Sequence, residues 1–249
     1  MLNLISGEFL KLKRSTIFRV SLLGSLVTPF MMLLSLFKAK YSDPVELVTF
    51  AKLLDQSMVY VTLLFGILLS ILILAYLFNR EYTEHTLKSV MSKSISKTEF
   101  LVSKYITFIL WATLLTIISW IGVVFVGFIG GATEFSINVL AHSFVNFMKA
   151  NLLTVLFITP VICITLWFKN IIPAIIYGIT IVLGNLMIFG DKLAAFYPGT
   201  AIYLLTADQI GFNEVYNCDP VIPLVIIVLM AIIGFILSWQ YFERADVTL

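Results

Sequence analysis

Six apolar blocks, each long enough or nearly long enough to cross a bilayer, constrain this chain more than any other feature. They fall at residues 17–37, 58–78, 105–129, 151–168, 171–189 and 221–241. A hydrocarbon core about 30 Å thick needs ~20 consecutive apolar residues in a helix. No water is available at that depth to satisfy backbone N–H and C=O groups, so each block must be helical. The expected fold class is an all-α membrane protein: six transmembrane helices in a single domain over residues 1–249. Charged residues make up 12% of the chain, against about 25% for a soluble domain. Only Lys169 and Asn170 separate the fourth and fifth blocks, so that boundary is the weakest. The first block is longer than the apolar core of a signal peptide and no A-x-A-like site follows it, which reads as an anchor that is retained.

The basic residues set an orientation. With the N-terminus inside, the inner segments carry Lys11, Lys13, Arg14, Arg19, Arg80, Lys88, Lys93, Lys97, Lys104, Lys169 and Arg244, 11 of the 16 basic residues. The outer segments carry Lys38, Lys40, Lys52, Lys149 and Lys192. Acidic residues run the other way, with 6 inside and 8 outside. Cytoplasmic loops are enriched in Lys and Arg, so both termini are expected in the cytoplasm. Trp167 and Trp239 then sit at inner span ends, where amphipathic rings favour the interface.

The segments between the blocks differ in kind. In residues 1–16, Leu2, Ile5, Phe9 and Leu12 share one helical face and Lys11 and Arg14 the other. That pattern fits a helix lying in the membrane surface; a flank that only sets topology also fits. The first outer loop, 38–57, has a turn signal at Asp43-Pro44 and reads as a short helix over 45–54. The inner loop 79–104 is the longest charged segment. From 81 to 91, Thr83, Leu87, Val90 and Met91 share a face, opposite Glu81, Glu84, His85 and Lys88. Glu84 and Lys88 stand four apart with the acid first, the favourable order. Ser96-Lys97-Thr98-Glu99 matches a capping box. The pattern is a short amphipathic helix, a turn and a newly capped helix; a docking surface and an ordinary charged loop both have it. The outer loop 190–220 contains apolar stretches at 193–197 and 201–205 flanking Pro198-Gly199. Two half-helices dipping into the outer leaflet fit it, provided that protein covers their backbone, and so does a packed surface loop.

Residues for chemistry are scarce. There is no G-x-x-x-x-G-K-[ST], hence no P-loop for ATP. There is no H-E-x-x-H, and His85 and His142 are the only histidines, so no metal site is expected. His85 reads as part of a solvated helix face and His142 as part of an outer loop. Cys163 falls in a span and Cys218 in a loop, without metal-ligand spacing. Ser35, Ser70 and Ser119 have no base nearby in sequence and read as interhelical hydrogen-bonding groups. Span interiors hold essentially no ionisable residues, which weighs against an ion-coupled carrier. Asn151 and Asn185 are the polar exceptions. Pro29, Pro160 and Pro173 can kink their helices. A membrane enzyme would need clustered acid, base or metal residues, and none is seen. A secondary transporter and an ATPase-associated sensor subunit remain the alternative readings.

The order and spacing of several segments resemble the type 2 permeases of ATP-binding-cassette (ABC) exporters, in the short form of about 250 residues. The start GEFLKLKRS is similar to that family's N-terminal interfacial helix. The run EYTEHTLKSVMSKSISKTEFLVSKYI is similar to its first cytoplasmic loop through Glu81, Thr86-Leu87-Lys88, Ile95-Ser96-Lys97, Phe100 and Lys104. The pair of short spans around Lys169-Asn170-Ile171-Ile172-Pro173 and the ending YFERADV fit as well. The resemblance implies a coupling helix whose contacts with a separate ABC ATPase are Glu81, Tyr82, Thr86, Leu87, Lys88 and Met91. It implies re-entrant helices over 190–220, with Phe196, Tyr197, Pro198 and Tyr203 as outer gate candidates. It implies a multi-pass protein of a bacterial cell membrane, working with two ATPase copies, a second permease, identical or related, and the lipid bilayer, and with no nucleic acid. No catalytic residue, metal or cofactor is expected in this chain; ATP and Mg belong to the ATPase. Short members of the family often export peptide antibiotics for resistance or bacteriocin immunity, as in the bacitracin and lantibiotic systems.

Overall fold

Helices account for nearly all of the residues that the computed structural model describes, namely 2–42, 48–84, 96–206 and 220–244. The order is α1 (Leu2–Lys13), α2 (Thr16–Ser25), α3 (Val27–Ser42), α4 (Phe50–Val59), a π-helical turn (Tyr60–Leu64), α5 (Phe65–Thr83), α6 (Lys97–Gly130) and α7 (Ile137–Phe157). Then come α8 (Pro160–Phe168), α9 (Ile172–Ile188), a 3₁₀ turn (Lys192–Ala195), α10 (Pro198–Thr206) and α11 (Val221–Arg244). Among the described residues, five helical runs are long and apolar enough to cross a membrane: Thr16–Tyr41, Phe50–Thr83, Lys97–Gly130, Ile137–Phe157 and Val221–Arg244. The shorter apolar α9 is the sixth apolar helix. The chain is an all-α membrane protein.

Several boundaries move from their expected places. The second span begins at Phe50, where the Thr49 side chain accepts from Lys52 N at 3.3 Å. The last part of the short helix expected over 45–54 is therefore the start of this span, and residues 43–47 lie outside the described residues. The fourth span begins at Ile137, inside what the apolar pattern marks as a loop, because His142, Asn146 and Lys149 interrupt the apolar run without interrupting the helix. Pro160 then breaks it, since proline offers no N–H to the preceding turn, and α8 continues from the break. The block at 151–168 is thus the second half of a kinked element. The weak boundary at Lys169-Asn170 is a true helix end: Lys169 is left-handed at φ 50°, and the Asn170 carboxamide accepts from Ile172 N at 3.0 Å.

The run Phe50–Thr83 is the axis of the bundle. Half of its apolar window, 50%, is buried, against 22% for Val221–Arg244. Ile67, Ile71, Leu74 and Phe78 meet Phe108, Trp111, Phe147 and Phe157 in one continuous core. Close approach of α11 to the α7–α8 break needs Gly234, where a Cβ would lie 2.5 Å from Pro160 N.

The two ends of the bundle are tied differently. At the end that carries α1 and the last turns of α11, here the terminal end, Lys97 Nζ donates to Glu243 O at 2.9 Å. Phe100 stacks on Phe242 there at 5.6 Å. At the opposite, distal end, a short parallel bridge pairs Thr49 with Thr133, with Phe50 N donating to Thr133 O and Thr133 N to Val48 O, each at 3.0 Å.

Candidate functional site

Four charges meet at the terminal end, one pair of each sign. Glu8 lies on α1 in line with Leu4 and Leu12 at helical spacing, so the face that buries Leu12 turns Glu8 inward. Both ends of the expected loop 79–104 are helical: Glu81 lies near the end of α5 and Lys104 in the third turn of α6. The start of α6 is fixed by the capping box expected from the sequence: Glu99 N donates to Ser96 Oγ at 3.0 Å and Ser96 N to Glu99 Oε2 at 3.1 Å. That cap sets the rotation at which Lys104 enters the bundle.

Lys104 is fully buried, and Glu81 is 1% exposed. The Lys104 ammonium donates to Glu8 Oε2 at 2.8 Å, Glu81 Oε1 at 3.0 Å and the carbonyl of Leu77 at 2.9 Å. Those three bonds use all of its donors. Lys11 completes the quartet from the half-exposed side, donating to Glu8 Oε1 and Glu81 Oε1, both at 3.0 Å. Burial works to lower the Lys11 pKa, but the hydrogen bonds and charges of Glu8 and Glu81 outweigh it and hold it above its ordinary value of 10.5. Lys104 also lies 5.0 Å from the Phe100 ring centroid, and Phe100 is the residue stacked on α11. One charge cluster therefore joins α1, the end of α5 and the start of α6, and touches α11 through an aromatic pair.

The expected coupling residues divide. Thr86, Leu87, Lys88 and Met91 lie outside the described residues. Glu81, expected as a contact for a partner, has its carboxylate turned into the bundle. Tyr82 is half-buried, with Lys169 Nζ 5.9 Å from its ring centroid. Sequence reasoning missed Glu8, Lys11 and Lys104 as a unit. Lys11 reads from the sequence as part of the polar face of α1, and Lys104 as a topology charge and as the lysine of the loop resemblance. The readable signal was a glutamate on the apolar line of an amphipathic helix, with a second acid and a lysine ending and starting neighbouring spans.

The gate candidates differ in their surroundings. Phe196 is exposed. Tyr197 OH donates to Ile181 O at 3.1 Å, Pro198 opens α10, and Tyr203 is buried edge-on to Phe189 at 5.4 Å. Nine residues of α10 reach about 14 Å at 1.5 Å per residue, too short to span. Six of them are buried, against α11, α7, α9 and the π-helical turn. That turn is held open by neighbours. A Cβ on Gly66 would lie 2.1 Å from Val61 O, and the buried Asn185 amide donates to the Leu63 carbonyl at 2.8 Å. Asn151, the other polar exception, sits within α7 and donates to Thr113 Oγ1 of α6 at 2.9 Å. Both asparagines bond across helices. Among the described residues, no group of three or more His, Cys, Asp and Glu residues is placed to hold a metal ion.

The sequence is similar to known proteins. The model of the ABC-2 family transporter protein matches residues 4–186. The bacitracin transport permease protein BCRB of Bacillus licheniformis is 31% identical over 211 residues, covering 84% of this chain and 98% of that protein. No solved structure matches the chain.

Proposed function

The chain belongs to the ABC-2 transporter family, and from that premise we propose that it is the permease of an exporter driven by a separate ABC ATPase. The loop that follows Glu81 docks on the ATPase, on the cytoplasmic side together with both termini. Two permeases, identical or related, and two ATPases form the working unit. ATP and Mg are held by the ATPase, which carries the phosphoryl chemistry. The cargo is an amphipathic molecule moved outward, a peptide antibiotic of the kind named for the Bacillus relative.

The observation that carries this reading is the buried quartet of Glu8, Lys11, Glu81 and Lys104. A force applied to the loop after α5 reaches Glu81 first. Because Glu81 shares two lysines with Glu8, α1 and the base of α6 are displaced with it. A rigid, buried and fully bonded cluster passes on such a displacement better than a solvated one, since breaking it leaves uncompensated charge. Glu81 in this reading is a positioning residue, and contact with the ATPase falls to Tyr82, Thr86, Leu87, Lys88 and Met91.

Purification from the native cells in mild detergent, followed by mass spectrometry, tests the proposal. An ABC ATPase is expected in near-equal amount, with any second permease alongside it. Absence of an ATPase, even after crosslinking through a cysteine introduced by His85→Cys, overturns it.

A further inference from the structure

A narrow crevice lies among α2, α3, α5 and α6, near the middle of the three apolar runs that contain them. Its volume is about 50 Å³, room for about three waters or for a polar group of similar size at the head of a longer molecule. Its polar residues are Ser25, Thr28, Ser70, Thr116 and Ser119. Its apolar wall is Val61, Phe65, Leu69 and Ile73, four residues apart, together with Leu115 of α6. Val61 belongs to the π-helical turn and the next three to α5.

The sequence reads Ser70 and Ser119 as interhelical hydrogen-bonding groups, and the structure gives neither of them such a bond. Ser119 is 6% exposed, and its Oγ is buried without a hydrogen-bond partner. Thr28 is 4% exposed, and its hydroxyl makes no hydrogen bond among the described residues. Ser25 and Thr116 have committed their protons. Ser25 Oγ donates to Leu22 O at 2.7 Å, and Thr116 Oγ1 to Ala112 O at 3.0 Å and Asn151 Oδ1 at 3.3 Å. Their oxygens keep lone pairs for an incoming donor. A buried hydroxyl without a partner is costly, and at this depth neither bulk water nor a lipid tail supplies one.

The lining sets the charge and polarity of the ligand. None of the lining residues is ionisable, so an ammonium, carboxylate or phosphate would enter the hydrocarbon region without a counter-charge. A pure hydrocarbon would leave Ser119 unmet. An uncharged hydroxyl satisfies both conditions: it accepts from Ser119 and donates to the oxygen of Thr116 or Ser25. Residues four apart stack along one side of a helix, so the strip from Val61 to Ile73 runs with the span and suits an alkyl chain lying parallel to the lipid tails. We propose that this crevice binds the hydroxyl head of an uncharged, membrane-soluble alcohol, with Ser119 as the anchoring group and the chain along Phe65 and Leu69. The site is separate from the charge quartet and does not rest on the exporter reading.

The test uses the full chain in nanodiscs of zwitterionic lipid. The probe is octanol carrying a diazirine within its chain, and the control is the matching diazirine octane, which lacks the hydroxyl. After photolysis, peptide mass spectrometry maps the adducts. Alcohol adducts are expected to concentrate on the lining residues and to be displaced saturably by plain octanol. Hydrocarbon adducts are expected to spread over lipid-facing residues without saturation. Ser119→Ala removes one hydrogen bond and should raise the octanol needed for half-displacement about fivefold. Ser70→Leu, which fills the crevice, should abolish saturable labelling. Circular dichroism and gel filtration confirm that each variant is folded. The same adduct pattern for alcohol and hydrocarbon, as expected if the crevice holds water alone, overturns the proposal. So does unchanged half-displacement in Ser119→Ala, or undiminished labelling in Ser70→Leu. Should Ser70→Leu fail to fold, Ser119→Ala together with the alcohol–hydrocarbon comparison decides alone.

Discussion

At the residue scale, Lys104 is the group on which the terminal end depends. Its burial is tolerable only because three acceptors surround it. Lys104→Met removes the cation and leaves two carboxylates in a poorly hydrated place with Lys11 as their remaining cation. Removing one member of a buried ion cluster costs about 3–5 kcal/mol, so a large drop in thermal stability in detergent is expected. Adding Glu81→Gln to that variant removes one orphaned charge and should restore part of the loss. Strict additivity of the two substitutions, measured by thermal unfolding, would show that they do not share the cluster. Lys11 gives a pH signature of definite sign. Its pKa is raised on folding, so its contribution is complete below pH 10.5 and is lost only as pH rises through the folded value. Acidification through the neutral range should leave that contribution intact.

At the element scale, the π-helical turn at Tyr60–Leu64 shows what apolar pattern can and cannot reveal. A long hydrophobic run announces a span whether the helix inside it is regular or not. The existence of the spans was therefore legible, while the bulge was not. It depends on Gly66 lacking a Cβ and on Asn185 reaching the Leu63 carbonyl from another helix, and neither fact has a periodic signature. The same limit explains the fourth span. His142, Asn146 and Lys149 broke the apolar count, but a helix tolerates polar residues wherever its neighbours offer partners or its face is exposed. The capping box before α6 was readable because it is local, two side chains three residues apart. The quartet was not, because it joins positions up to 96 residues apart. Gly66→Ala tests the bulge. The added methyl would collide with Val61 O, so the turn must rearrange and withdraw the Leu63 carbonyl from Asn185. A lowered unfolding temperature is expected in Gly66→Ala, and Asn185→Leu added to it should cost little more. If Gly66→Ala is as stable as the wild type, the close approach is not a constraint.

At the scale of the whole molecule, the exporter reading requires that docking and transmission be separable. In that reading docking belongs to Tyr82 and the residues between Glu84 and Ser96, and transmission to the quartet that joins α1, α5 and α6. Replacing residues 86–91 with a Gly-Ser linker should abolish co-purification of the ATPase while the protein still inserts, because none of the four charges of the quartet is touched. Lys104→Met, or the milder Glu8→Gln if Lys104→Met is too unstable to purify, should behave in the opposite way. The ATPase should still co-purify and hydrolyse ATP, but protection of cells against the proposed cargo should fall. A packed cluster has two ways to fail, collapse or loss of transmission, and ATPase recovery distinguishes them, since a collapsed permease would not retain its partner. If quartet variants keep both partner and protection, the cluster is a structural clamp and force enters the bundle elsewhere. The stacked Phe100–Phe242 pair at the base of α6 is then the next contact to break, because it carries the motion of α6 directly into α11 by ring packing, with the Tyr105–Phe235 edge contact as the second such link.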